Sequence, residues 1–458
     1  MDFANTKLRT PPVLLASFTL LLTACAGPPV KQAPLTQHHS LQPEQWETTI
    51  NAKQKNLGNQ LLALVSEPAL DDLVRDALET NQQLQQTALR LTEQRLLTTQ
   101  TAAAEKPEVN LQLNSQRAKN TNITESHALA LNLNWEMDVW GRLANATSSA
   151  EATTRALQLD YQAARNSLTS RIIQRWIDIS LRARIITTVE QRLISLQKTE
   201  ASITERFQRG LGNLADLEAA RASTARTRAD LAARQQSQAD AKRTLNVLLG
   251  RQPQSPLPLA QGELAIAVPL QQLPGEVLAA RPDLLAAYER IVAADYNTDV
   301  AYKALLPGFN LTASLSQSRN SLSDLLSGSS AWSLLGSLTA PLFNAGRLEA
   351  GKKIAEMQAE RAFLAYQQTL LTAVQEVETA LSQEYTLEQR QDYLALASRH
   401  SDANFSHYQS RYKDGLTDIL NLLTAEQQAF DDRIALLQIQ QARLNNRIVL
   451  GLALGMGV

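Results

Sequence analysis

The side chains able to do covalent or metal chemistry are few and poorly placed for it. The 458-residue chain has five histidines and one cysteine. His38 and His39 adjoin each other in a Pro- and Gln-rich stretch, and His127 stands near an expected hairpin loop. His400 and His407 lie on one expected helix. None forms HExxH, which would set two imidazoles on one helical face with a glutamate as base, and none accompanies a nucleophile. A single thiol allows neither a disulfide within the chain nor a cysteine metal cluster. Walker A and GxGxxG loops are absent, and the carboxylates are scattered along helices. No catalytic residue, metal site or cofactor is expected, and hence no enzyme. A net charge of −1 provides no basic surface for nucleic acid.

The one thiol is placed for a different reaction. Lys7 and Arg9 precede an apolar run from Val13 to Leu22 that is too short to span a bilayer, which reads as a signal peptide over residues 1–24. It runs into Leu22-Thr23-Ala24-Cys25, followed by Ala26 and Gly27. This resembles the lipobox of bacterial lipoproteins, where cleavage and acylation need a thiol flanked by small residues. The resemblance implies that Cys25 is diacylated and that the protein goes to the outer membrane, since Ala26 rather than a retaining Asp follows. Acyl chains buried at ~0.8 kcal/mol per CH₂ would anchor it. A structural cysteine after an ordinary signal is the alternative, disfavoured by this position. Residues 26–45 read as an extended tether.

The elements that follow come in duplicate. Pro107, Asn110 and Leu111 match Pro307, Asn310 and Leu311. Gly141-Arg142-Leu143 matches Gly346-Arg347-Leu348, and Arg206, Phe207, Gly210 and Leu211 match Arg411, Tyr412, Gly415 and Leu416. The offset changes by five between the early and late matches, and the extra residues are expected in a loop between about 115 and 140 of the first half. From Leu143 to Arg206, and again from Leu348 to Arg411, runs an equal span of 63 positions. As one helix that is a rod ~95 Å long. Apolar residues from Leu157 through Trp176 to Leu196 step by three or four, about 3.5 on average, the period of a coiled-coil stripe. A plain antiparallel bundle has the same period. Each rod ends at a glycine turn, and return helices are expected over about 214–250 and 417–452.

Between the helices of each half lie two segments of period two, each ~9–11 residues long. Val109, Leu111 and Leu113 alternate with Asn110, Gln112 and Asn114; Leu129 to Trp135, Phe309 to Ser316 and Trp332 to Thr339 continue the pattern. Polar loops are expected at about 118–126 and 320–330. Asn, Gln, Ser and Thr suit a wet lumen and the apolar faces suit lipid, although soluble half-buried hairpins look alike. Four strands cannot close a membrane barrel, and open edges are not tolerated in lipid. Two copies would supply eight strands and three copies twelve; a pore favours three. The fold expected from these residues is an α+β membrane protein with long helical hairpins and four transmembrane strands per chain entering a shared β-barrel, twelve-stranded when three copies close it.

With the lipobox, the duplication, Trp140-Gly141-Arg142-Leu143, Phe343-Asn344-Ala345-Gly346-Arg347-Leu348 and the two glycine turns, the chain resembles the TolC-like outer-membrane efflux proteins, in their lipidated OprM-like and NodT-like branch. The resemblance implies a homotrimeric exit duct, its long helical hairpins forming a trimeric periplasmic α-barrel below the twelve-stranded β-barrel, that passively exports small molecules such as drugs. It implies a periplasmic adaptor docked at the hairpin tips and an inner-membrane pump, commonly of the RND type. It divides the chain into a lipidated tether and equatorial segment (25–66), a first repeat (67–250), an inter-repeat equatorial segment (251–275) and a second repeat (276–458). Docking then falls on Arg206, Gly210, Leu211, Arg411, Gly415 and Leu416. The periplasmic gate falls on Asp216 and Tyr412, with Asn421 and Thr424 where the family carries acidic rings. Thr417 stands where an arginine partner is usual. Asp418 either replaces the ring or serves the start of its helix. A duct for heavy metals, or a structural or adaptor coiled-coil lipoprotein, are the competing readings.

Overall fold

The computed structural model describes residues 43–48, 60–65, 67–119, 121, 123–260, 264–269, 272, 274–327 and 329–458. The signal peptide, Cys25 and most of the tether lie outside them.

Each half contains the same six elements in the same order. In the first they are α1 (Pro68–Thr80), α2 (Gln82–Ala103), β1 (Glu108–Lys119), β2 (Ile123–Met137), α3 (Arg142–Gln208) and α4 (Leu214–Leu248). In the second they are α5 (Pro274–Ala280), α6 (Pro282–Lys303), β3 (Gly308–Arg319), β4 (Ala331–Thr339), α7 (Arg347–Lys413) and α8 (Ile419–Ala453). The rods α3 and α7 each have 67 residues, and the return helices α4 and α8 each have 35. At 1.5 Å per residue a rod is about 100 Å long. Among the described residues no helix is long and apolar enough to cross a membrane.

Two compact units can be distinguished. One comprises Glu93–Arg155 and Tyr288–Ala365 and contains the sheet. In it the antiparallel strands follow the order β1-β2-β3-β4. The strands outrun their apolar alternation: β1 and β2 stay paired to Lys119 and Ile123, with an Arg117–Glu125 ion pair of 3.1 Å near the end. Of the loop expected at 118–126, Ala118, Lys119 and the stretch from Ile123 to Ser126 therefore belong to the strands. The placing of the five extra residues is also corrected. Pro107 to Gly141 is 34 positions and Pro307 to Gly346 is 39, so the second half carries them. The longer β3–β4 loop, residues 320–330, accommodates them.

The other unit, from Ala156–Ala287 and Tyr366–Val458 with the described part of His38–Thr92, is helical. Its main core gathers Ile172, Ile173, Trp176, Ile177 and Ile179 of α3 around the short 3₁₀ turn Leu61–Leu64 and Leu264 and Ile266. Each such side chain contributes about 1.5–3 kcal/mol on burial. Trp176 Nε1 donates to the Pro258 carbonyl at 2.9 Å, satisfying its one polar atom. The 3.5-period stripe on α3 is buried or half-buried along its whole length.

The halves also share a junction. Between α1 and α2, Asn81 Oδ1 accepts from the Leu84 amide at 2.9 Å, and its Nδ2 donates to the Leu248 carbonyl, where α4 ends, at 2.7 Å. In the second half Pro282 separates α5 from α6, because the residue before a proline is driven out of the helical region. There Arg281 donates to the Ala453 carbonyl, where α8 ends, at 3.1 Å. Buried Arg281 is balanced by Asp283 and Glu376, each at 2.7 Å.

Candidate functional site

Two places carry the features that transport would need: the faces of the sheet and the ends of the helical hairpins. In the sheet, partners across a ladder point to the same side. Leu111 faces Leu131, Leu131 faces Leu315 and Leu315 faces Trp332. Val109, Leu133, Ala313 and Leu334 form the next row. On the other side Asn110, Asn132, Ser314 and Ser333 make a polar row, with Ser314 and Ser333 hydroxyls 2.9 Å apart. A slip of one residue would mix the faces; instead all four strands are in phase. Leu335 departs from this, standing on the polar side opposite Thr312, as does Gln317 on the apolar side opposite Leu129. The apolar face is open: Leu111 is 70% and Trp332 79% exposed. A contiguous bare apolar face of this extent marks a membrane or partner surface. His127 sits within β2, near the hairpin loop as expected, and its Nδ1 lies 2.8 Å from the Ser115 hydroxyl.

At the other place, α3 and α7 stop in the same way. The Leu211 amide donates back to the Arg206 carbonyl at 2.9 Å and the Leu416 amide to that of Arg411 at 2.8 Å. Gly210 and Gly415 turn at φ +73° and +72°, a region that costs a side chain but not glycine. Asn213 and Asp418 then cap the return helices. Asn213 Oδ1 accepts from the Asp216 amide at 2.7 Å, and Asp418 Oδ1 from the Asn421 amide at 2.8 Å. Asp418 therefore serves the start of its helix. Asn213 was not singled out from the sequence; its signal was a polar residue just past a glycine turn at the equivalent of Asp418.

The structure brings three expected residues together. Arg206 lies over the Tyr412 ring, 5.8 Å from its centre. Burial raises the pKa of the Tyr412 hydroxyl, opposed by Arg206 and reinforced by the Asp216 carboxylate. Arg206, expected only as a docking residue, is thus the cation found beside Tyr412, where Thr417 offers none. Asp216 itself accepts from Asn213 Nδ2 at 3.0 Å. Beneath them Ile203, Leu217, Ala220, Ile419 and Leu422 form a small core shared by both hairpins, with Tyr412 packed against it. Asn421 and Thr424 are exposed; Asn421 Nδ2 donates to the Thr417 hydroxyl at 3.4 Å and Thr424 bonds back to the Leu420 carbonyl at 2.8 Å. Arg411 donates to the Leu416 carbonyl at 3.1 Å within its own turn. Leu211 and Leu416 are the bare apolar residues of the two turns, 68% and 64% exposed.

The sequence profile of outer membrane efflux proteins matches residues 73–251 and 273–456, covering both repeats as they are seen here. The chain belongs to that family. Among relatives, the "Cation efflux system protein CusC" of Escherichia coli is 29% identical, over 84% of this chain and 86% of its own length. The "Probable outer membrane lipoprotein SilC" of Salmonella typhimurium is 27% identical over 97% and 96% of the two chains. "Outer membrane protein OprJ" of Pseudomonas aeruginosa is 28% identical over 86% and 85%. A solved structure of CusC superimposes with a TM-score of 0.85, at 26% identity, covering 94% of this chain and all of that one. The protein is an outer-membrane efflux protein, and its rods, return helices and antiparallel hairpins are those of the family's channels.

Proposed function

We propose that three copies of this chain, each anchored by acylated Cys25, form the exit duct of a tripartite efflux system. The observation that carries this reading is the sheet: four strands in phase, one face apolar and bare, one face polar, with β1 and β4 left as edges. Unpaired edges are not stable in lipid. Pairing β4 of one copy with β1 of the next closes twelve strands around a polar lumen and leaves the apolar face to the bilayer. The hairpins then make the periplasmic α-barrel. Their tips, Arg206 to Leu211 and Arg411 to Leu416, present a docking surface to a periplasmic adaptor coupled to an inner-membrane pump. Asp216 and Tyr412 help hold the entrance closed, with Asn421 and Thr424 lining it. Asp418 is assigned to helix capping. The repeats divide as 67–250 and 276–458, with 25–66 and 251–275 girdling the barrel.

Relatives named for cation efflux and relatives named for solvent or toluene efflux stand at nearly equal identity, 29% and 28%, and so favour a metal cargo no more than an organic one. The duct is the conclusion and its cargo is set by the pump. Cysteines introduced singly on β1 and on β4, within the full chain in membranes, test the closure. The expected product of oxidation of the pair is a trimer stable in detergent. A product limited to dimers would contradict the twelve-stranded barrel.

A further inference from the structure

Glu426 lies two turns into α8, beside the small core beneath the tips, and is 1% exposed. Neither carboxylate oxygen has a hydrogen bond of good geometry among the described residues, the Ser195 hydroxyl being only a weak donor toward it. The polar groups that reach it, Arg192 and Ser195, belong to α3 of the other hairpin. Arg192 Nε is likewise buried and without a partner. Its Nη1 lies 3.8 Å from Asp431, a loose contact on the exposed side. An acid and a base thus sit in one buried neighbourhood, at the joint between the two hairpins, without forming an ion pair. Burying an ionised carboxylate unpaired costs more than neutralising it.

We propose that Glu426 is a protonation latch between the two helical hairpins, neutral while they are packed as here and ionised once α8 moves away from α3. This rests on the reading of the hairpin tips as the gate of a duct. Arg192 is the cation on α3 whose charge is felt at Glu426. On α8, Asp431 stands 3.8 Å from Arg192, and Arg433 is held by Asp402 of α7 at 2.8 Å. His400 and His407 of α7 are exposed. On α4 the buried groups at this level are the hydroxyls of Thr224 and Thr227, and Arg221, Arg226 and Arg228 are exposed.

The sign follows from linkage. In the packed state burial raises the pKa of the Glu426 carboxyl, and Ser195 and Arg192 only partly oppose it. In water it returns to the ordinary glutamate range. The packed state therefore binds the proton more tightly. Acid favours the packed hairpins, and their separation becomes easier as pH rises through the raised value.

Nitroxide labels on Leu211→Cys and Leu416→Cys, in the full chain carrying Cys25→Ser, report the spacing of the two turns. Between pH 5 and pH 8 the label distance is expected to move toward a longer population in the parent chain. In Glu426→Gln, which cannot ionise, that response is expected to be lost and the short distance kept at every pH. Glu426→Ala gives a second, apolar test with the same expectation. A parent distance that does not change with pH, or a response retained by both variants, would overturn the latch. Failure of the duct reading would appear separately, as absent conductance.

Discussion

The Arg206 guanidinium stands 5.8 Å from the centre of the Tyr412 ring, tying the last turn of α3 to the last turn of α7. The repeats are not equivalent here. Arg411, the counterpart of Arg206, folds back onto its own turn, and Phe207, the counterpart of Tyr412, is partly exposed. An exposed cation–π contact is worth about 0.5–1 kcal/mol. Arg206→Ala should therefore raise the open population of the entrance about two- to five-fold, read as open probability in single-channel records. Unchanged open probability would remove Arg206 from the gate. Tyr412→Phe combined with Asp216→Ala should open the entrance further.

The two capping residues should be separable from the gate. Asn213→Ala and Asp418→Ala each remove a side-chain acceptor from a helix start, at about 1 kcal/mol. Hydrogen exchange should accelerate in the first turns of α4 and α8 respectively. If Asp418→Ala changed ion selectivity while leaving that exchange untouched, the capping assignment would be wrong.

The lengths of the elements were largely legible in the sequence, since a 63-position spacing repeated in both halves leaves little room for anything but matched rods. The phase of the four strands was legible for the same reason: alternation of Leu with Asn or Ser shows which residues share a side. The extent of β1 was not, because Arg117 to Lys119 alternate no longer and are held by pairing with β2 alone. At the tips, the glycine turns were readable from type. The reach of Arg206 to Tyr412 was not, because it joins residues 206 positions apart through a contact that no local pattern encodes. Glu426 was equally hidden: it resembles any solvated helical carboxylate until its burial is known.

The sheet faces predict opposite responses to charge. Leu131→Lys would place an ammonium on the apolar face, at a cost of about 2–4 kcal/mol if it lies near the bilayer midplane. Asn132→Lys, one residue on, points to the polar face and should assemble normally. The measurement is the yield of heat-modifiable trimer in outer-membrane fractions. Equal yields for the two variants would argue against a lipid-facing apolar side.

Buried Glu384 bridges two arginines, with Oε1 3.0 Å from both Arg443 Nε and Arg447 Nε. Arg443 also pairs with Glu388 at 2.5 Å. Removing the shared carboxylate in Glu384→Ala leaves two largely buried cations with reduced compensation. A loss of about 3–5 kcal/mol is expected, seen as a lowered Tm of the helical signal in circular dichroism. A Tm within a degree or two of the parent would show the network to be solvated.

The proposed duct requires three copies of this chain to enclose one pore. Purified full-length protein in planar bilayers should give discrete conductance steps, rare in the parent and frequent in Tyr412→Phe combined with Asp216→Ala. Complete absence of conductance in both, from protein shown to be folded and inserted, would contradict the account.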